Sequence, residues 1–163
     1  MTEGPYTRVT WSGKTINART RDALLYAQKL WRKRGDHHLS IQLAQGSYNK
    51  GGVAASGSTH DGGGVIDIRT TGVGLDQGET VSLLRALKDA GFAAWIRDSR
   101  DGMPPHIHAC AIADQQMAAS AQRQCVSYDA GRNGLNSNSK DRNPYRASPK
   151  LRFSYARGKP VPR

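Results

Sequence analysis

The order of apolar and polar residues along the chain predicts three helices and four strands. Leu24, Ala27 and Leu30 recur at helical spacing, whereas Leu39, Ile41 and Leu43 alternate with polar residues as in a half-buried strand. On this basis helices are predicted over 18–34, 79–90 and 114–124, the last with Asp114 at its N-cap, and strands over 39–43, 65–68, 92–96 and 106–112. Residues 1–16 are predicted as an irregular lead-in, and the Gly- and Ser-rich residues 46–64 as a loop.

The composition divides the chain into residues 1–125, one domain, and residues 126–163, a basic C-terminal extension. From Lys140 onward the extension has eight basic residues and one acidic residue. It is either a disordered tail or an ordered segment held by its aromatic residues. The net charge of +11 favours polyanionic partners, among which charge alone does not choose nucleic acid, anionic lipid or an anionic bacterial wall.

The start of the chain is polar and shows no secretory signal peptide, and no apolar run is long enough to span a membrane. We therefore expect a protein that is made in the cytoplasm and that needs another component to release it if its target lies outside the membrane. Cys110 and Cys125 are the only cysteines, and they are either reduced thiols or a disulfide.

Three of the five histidines fall in two short segments that suit a metal site. His60 precedes Asp67 by seven residues across a glycine-rich turn, and His106 and His108 share one face of a predicted strand. Two imidazoles and one carboxylate are a good zinc ligand set that leaves one coordination position open, as in catalytic zinc sites. Only one histidine of the pair needs to bind the metal, and the other can act on substrate. His37 and His38 follow a helix end and are predicted to be solvated loop residues.

Both segments resemble the zinc peptidases of the lysostaphin, D-alanyl-D-alanine carboxypeptidase and Hedgehog types, including murein endopeptidases and small actinobacterial or phage peptidoglycan peptidases. Ser58-Thr-His60 through Asp67 is similar to the first motif of these proteins, and Trp95 followed by Pro105-His106-Ile-His108 is similar to the second. The resemblance covers roughly residues 38–112. It implies an α+β fold in which helices flank a small antiparallel sheet.

The resemblance also implies roles for individual residues. His60, Asp67 and His108 would bind one zinc ion, and His106 would be the catalytic residue that assists the attacking water; the reverse assignment of His106 and His108 stays open. Many carboxypeptidases of this group have an acidic general base where this chain has Pro105, so His106, Asp98 or Asp101 would take that role. The candidates for holding the substrate carbonyl are Gln45, Ser47 and Tyr48.

The function expected from these features is a monomeric zinc metallopeptidase, a carboxypeptidase or endopeptidase, that cleaves a peptide bond in the stem peptide or cross-link of peptidoglycan. Its setting would be phage lysis, a phage tail, or otherwise the cytoplasm. The basic extension would grip anionic wall polymers. Nucleic acid is disfavoured as a partner because no recognition helix, zinc finger or aromatic platform is visible. The alternative is a non-catalytic module that binds the cell wall or a partner and keeps the metal for structure.

Overall fold

The computed structural model describes residues 3–35 and 38–145, and the backbone of residues 151–154 and 159–162. His37 and the side chains of the extension beyond residue 145 lie outside the described residues, whereas His38 is exposed, as predicted. Among the helices of the described part, none has the length and apolar character that crossing a membrane requires.

The fold is α+β, as predicted, with three α-helices and small antiparallel sheets. The helices are α1 (Ala18–Gly35), α2 (Gln77–Asp89) and α3 (Ala119–Asp129). The strands are β1 (Arg8–Trp11), β2 (Lys14–Asn17), β3 (Leu43–Gln45), β4 (Val65–Arg69), β5 (Phe92–Arg97), β6 (His106–Ala111), β7 (Leu151–Ser154) and β8 (Lys159–Pro162). Short 3-10 turns occur at Ala54–Ser56 and Ser99–Asp101.

Strands β3 to β6 form a four-stranded antiparallel sheet with the order β3-β4-β6-β5, and β1-β2 and β7-β8 are separate hairpins. In the large sheet Gln45 pairs with Asp67, Asp67 with His108, and His108 with Trp95. Directly paired residues project from the same face, so these four side chains form one row across the sheet.

The opposite face of this sheet carries the main hydrophobic core. Ile66, Ile68 and Ile107 from the central strands are fully buried there, together with apolar residues of α1 and α2. Helix α2 begins at a capping box, in which Asp76 accepts a hydrogen bond from the Glu79 backbone and the Glu79 side chain accepts one from the Asp76 backbone. With α1 and α2 on one face, the polar row on the other face is left free for α3 and a cleft.

The predicted irregular lead-in is wrong, because residues 8–17 form the β1-β2 hairpin. Its two-residue turn is Ser12-Gly13, both with positive φ (41° and 77°). Such turns match the twist of paired strands and are a recognised hairpin signal. The prediction overlooked this turn chemistry.

Two other element boundaries differ from the prediction. The strand predicted over 39–43 pairs with β4 only from Leu43, since the backbone of Ile41 is bonded instead by the side chains of Gln28 and Trp11. The helix predicted from residue 114 begins at Ala119. Asp114 is not its N-cap, because its carboxylate is buried and accepts a hydrogen bond from Asn17 at 2.8 Å.

Helix α3 crosses the boundary drawn after residue 125, and residues 130–145 pack against the domain. The Trp95 indole Nε1 donates to the Arg132 carbonyl at 2.9 Å. Farther along, the buried Lys88 ammonium pairs with Asp141 at 3.2 Å and also donates to the Asn143 carbonyl. These contacts join the start of the extension to β5 and α2.

Candidate metal centre

Two side chains of the polar row come from the central strands of the sheet. Asp67 on β4 lies directly opposite His108 on β6, although they are far apart in sequence. The distance from Asp67 Oδ1 to His108 Nδ1 is 2.8 Å. Strand pairing alone therefore brings one carboxylate and one imidazole together on the open face of the sheet.

The third side chain, His60, reaches the row from the glycine-rich loop. Backbone hydrogen bonds from Asn49 N to His60 O (2.8 Å) and from Tyr48 N to Gly62 O (2.9 Å) fold the loop back on itself. His60 is buried, and its Nε2 lies 3.3 Å from Asp67 Oδ1. His60, Asp67 and His108 can thus each offer one ligand atom, with all three atoms within 4.8 Å of one another, so this group could hold a metal ion.

The outer nitrogen of each imidazole is held by an oxygen atom that can only accept. His60 Nδ1 donates to the Gly46 carbonyl at 2.8 Å. His108 Nε2 lies 2.8 Å from Gln124 Oε1, and the amide nitrogen of Gln124 donates to the Gly134 carbonyl at 3.1 Å. This second bond fixes the orientation of the Gln124 amide, so Gln124 Oε1 can accept a hydrogen bond from His108 Nε2 and leave Nδ1 to bind a cation.

His60 Nε2 and His108 Nδ1 thus both face the Asp67 carboxylate, and each could offer its lone pair to a cation that lies between them and Asp67. Within the described residues, His60 Nε2 is buried and has no hydrogen-bond partner. Burial would raise the pKa of Asp67, but its interactions with the His108 and His60 imidazoles hold that pKa well below the usual range, so the carboxylate is ionised. Burial also lowers the pKa of His108, which favours the neutral imidazole. Three converging electron-pair donors with fixed outer nitrogens fit a divalent cation.

His106 lies beside this group. Its Nε2 is 3.7 Å from Asp67 Oδ1, against 2.8 Å for His108 Nδ1, and its side chain is partly exposed. His106 Nδ1 donates to the Pro104 carbonyl at 2.7 Å, which leaves Nε2 as a free acceptor. The structure thus places His108 within the ligand group and His106 at its open side, next to the cleft.

The three candidates for substrate contacts all line the cleft but differ in what their polar atoms do. Ser47 Oγ is committed to the Val65 carbonyl at 2.8 Å. The Tyr48 hydroxyl accepts from Asn17 at 3.1 Å and donates to Gln116. Gln45 Oε1 accepts from Ser56 at 3.2 Å, whereas its buried Nε2 has no partner among the described residues. Gln45 is therefore the one of the three with an unused donor in the row that contains Asp67.

Asp98 and Asp101, the alternative acidic bases, belong to the turn after β5. Asp98 accepts hydrogen bonds from the backbone and side chain of Arg100, and Asp101 pairs with Arg142 at 2.8 Å. Neither is among the described residues that line the cleft, in which Asp67 is the only carboxylate. Both carboxylates are occupied in stabilising the turn.

The cleft around the row has a volume of about 1230 Å³ and is bordered by the loop, β3, the turn before β6 and α3. Trp95 is not among the described residues that line the cleft; its buried ring stacks on His108, with centroids 6.1 Å apart. Arg97, two residues later on β5, does line the cleft, and it was not predicted. Because alternate residues of a strand share a face, the position of Arg97 two residues after Trp95 predicts that both lie on the face of the sheet that carries Asp67 and His108.

Gln124 and the Gly46 carbonyl were also missed, because no local sequence pattern marks a residue that orients a ligand from another element.

Cys110 and Cys125 are free thiols. Cys110 Sγ lies 3.6 Å from His108 Nε2, on the side of the ring away from Asp67. Cys110 therefore contacts the candidate ligand His108 and is not placed as a fourth ligand.

Comparison with protein-family models, with curated proteins and with solved structures finds no match to this chain. The chemistry of the site therefore has to be judged from its own residues.

Proposed function

We propose that this protein is a zinc-dependent peptidase that hydrolyses a peptide bond in the stem peptide or cross-link of bacterial peptidoglycan. The observation that carries the proposal is the convergence of His60, Asp67 and His108, with ligand atoms within 4.8 Å of one another at the edge of an open cleft. The motifs around these residues support the further proposal that the sheet is that of the lysostaphin, D-alanyl-D-alanine carboxypeptidase and Hedgehog types. The net charge of +11 suits an anionic wall.

His60, Asp67 and His108 would hold the zinc ion, which when bound supplies Lewis-acid activation of the scissile carbonyl and of water. His106 is the residue best placed to move the proton. In the neutral ring Nε2 carries the lone pair, because Nδ1 donates to the Pro104 carbonyl at 2.7 Å. Nε2 can therefore accept a proton from the attacking water and afterwards return it to the leaving amine.

Gln45 would support the same reaction from the other end of the row. Its carboxamide oxygen is fixed by Ser56, so the amide nitrogen is directed to donate elsewhere. A buried donor without a partner is costly unless a ligand supplies the acceptor. We propose that the Gln45 Nε2 hydrogen bonds to the substrate carbonyl oxygen as negative charge develops on it.

The second candidate is a non-catalytic wall-binding or partner-binding module with the same metal site. It is favoured by the lack of a second carboxylate among the described cleft residues, where Pro105 takes the place of an acidic base. On this alternative the cation would only tie the loop to the sheet, and His106 would be dispensable.

The test is digestion of purified peptidoglycan by zinc-loaded full-length protein, with mass spectrometry of the released fragments and measurement of bound zinc. We expect wild type to release peptides. His106→Ala should lower the rate by about 10²–10⁴-fold while retaining zinc. The matched control is His38→Ala, because His38 is exposed and does not line the cleft. This variant should leave both the rate and the amount of bound zinc unchanged.

Zinc-loaded wild type that releases no fragment from walls of several chemotypes would overturn the peptidase proposal and favour the binding module. Equal rates for wild type and His106→Ala would overturn the role given to His106.

A further inference from the structure

Arg97 is a buried cation whose charge has no partner among the residues that the structure describes. Its side chain lies on β5 opposite His106, and only 2 % of the residue is exposed. Within the part of the chain that the structure describes, Arg97 makes no ion pair, and its buried NH2 nitrogen has no hydrogen-bond partner. An arginine remains protonated in proteins, so this burial is unfavourable unless an anion binds there.

The surroundings of Arg97 hold the guanidinium in place without neutralising it. Its central carbon lies 5.0 Å from the centre of the Trp95 ring, and Trp95 in turn stacks on His108. Gly134 also lies close by, since a Cβ there would come within 3.4 Å of the Arg97 NH2. The nearby acidic residue Asp101 is already paired with Arg142 at 2.8 Å. The guanidinium is therefore preorganised at the wall of the cleft.

The rest of the cleft has the same sign of charge. Basic residues line it from four other segments, whereas Asp67 is its only acidic lining residue among those described; the basic residues are Arg8, Lys14, Arg69 and Arg123. With Asp67 engaged by the imidazoles, the field in the cleft favours an anionic ligand.

We propose that Arg97 binds a carboxylate of the substrate, so that the cleft takes acidic peptides with a carboxylate close to the scissile bond. This inference rests on the proposed function for the bond that is cleaved, but binding of the carboxylate does not require hydrolysis. The carboxylate has two possible sources, the C-terminal α-carboxylate of a peptide or an acidic side chain within it. The first would make the enzyme a carboxypeptidase and the second an endopeptidase.

The experiment is calorimetric titration of the full-length protein, with and without zinc, using the pentapeptide L-Ala-D-Glu-L-Lys-D-Ala-D-Ala. Two modified peptides distinguish the sources: one has a C-terminal amide, and the other has D-Gln in place of D-Glu. Arg97→Gln should weaken binding of the parent peptide by about tenfold or more without reducing bound zinc. Arg123→Gln, an exposed cation of the same cleft, is the matched control and should change binding by less than Arg97→Gln does.

One of the two modified peptides should bind wild type more weakly than the parent peptide does, and Arg97→Gln should not weaken its binding further. The carboxylate that this peptide lacks is the one that Arg97 binds. Arg97→Gln should also raise the melting temperature, whereas an arginine with a structural role would lower it on removal. Arg97→Lys, which keeps the charge but not the planar fork, should recover part of the affinity.

The inference is overturned if Arg97→Gln and Arg97→Lys bind all three peptides as wild type does, even where wild type hydrolyses peptidoglycan. Conversely, Arg97-dependent binding by a protein that cleaves no wall would leave this inference in place and overturn the peptidase proposal.

Discussion

Gln124 on α3 accepts a hydrogen bond from His108 Nε2 at 2.8 Å, and its own amide nitrogen is anchored to the Gly134 carbonyl at 3.1 Å. One side chain thereby determines which nitrogen of His108 faces Asp67. Helix α3 supplies none of the three candidate ligands, but it orients one of them.

Replacing Gln124 with Ala should therefore weaken metal binding without removing a ligand. Loss of such an outer partner typically costs about 10–100-fold in metal affinity. Competition with a chromophoric zinc chelator would measure the change. Gln122→Ala, on the same helix and exposed, is the control and should keep wild-type affinity. Wild-type affinity in Gln124→Ala would show that His108 is oriented by other contacts.

Gly46 orients His60 through its carbonyl, and its own position depends on the absence of a side chain. A Cβ there would lie 2.4 Å from the backbone oxygen of Thr15 in the β1-β2 hairpin. Gly46→Ala should therefore displace the loop from β2 and lower stability by about 1–3 kcal/mol, with weaker metal binding as a second effect.

The matched control for this change is Gly4→Ala, where the new Cβ would make an ordinary contact of 3.6 Å with Thr7. Chemical denaturation of both variants, with and without zinc, provides the measurement. A Gly46→Ala protein as stable as Gly4→Ala would contradict the close packing of loop and hairpin.

Lys88 and Asp141 form a buried ion pair that holds the segment after α3 against α2. Asp141→Ala removes one partner and leaves the Lys88 ammonium buried, at an expected cost of about 3–5 kcal/mol. Lys140→Ala, at the exposed neighbouring position, should change stability by less than about 0.5 kcal/mol. The double variant Lys88→Met with Asp141→Leu should recover much of the loss, because it leaves no unpaired charge. Urea unfolding curves of the four proteins give the comparison.

Asp98 should contribute to stability in a pH-dependent way. Hydrogen bonds from the Arg100 side chain and backbone hold the pKa of Asp98 well below its usual range. A lowered folded-state pKa means that the stabilisation is fully present above about pH 4, the usual pKa of an unfolded Asp, and is lost as the pH falls further. The difference in unfolding free energy between wild type and Asp98→Asn should therefore be constant from pH 5 to 7 and shrink below pH 4. A difference that stays constant down to pH 2 would show that the carboxylate is not held in this way.

Much of the sheet was predictable because its strands are short apolar runs bounded by turn residues. Alternation along 106–111 places both His106 and His108 on one face, and the seven-residue spacing of His60 and Asp67 across glycines fits the loop and strand that carry them. The three residues that the structure groups are those predicted as ligands.

The parts that could not be predicted depend on contacts between distant segments. Asp114 has the residue type of an N-cap, but burial against Asn17 removes it from that role, and α3 starts without a side-chain cap at Ala118. The roles of Gln124 and Gly46 likewise exist only once α3 and the loop have docked. Strand alternation could have placed Arg97 on the face of the site. That its NH2 nitrogen has no partner among the described residues is visible only in three dimensions.

The pairing of Asp67 with His108 has a consequence for the order of assembly. Along the chain Asp67 and His108 are separated by a helix, a strand and a turn. They come together only when β4 and β6 pair at the centre of the sheet. We therefore expect a cation to bind this group only after these strands have paired, and its removal from the folded protein should loosen the glycine-rich loop before it disturbs the strands.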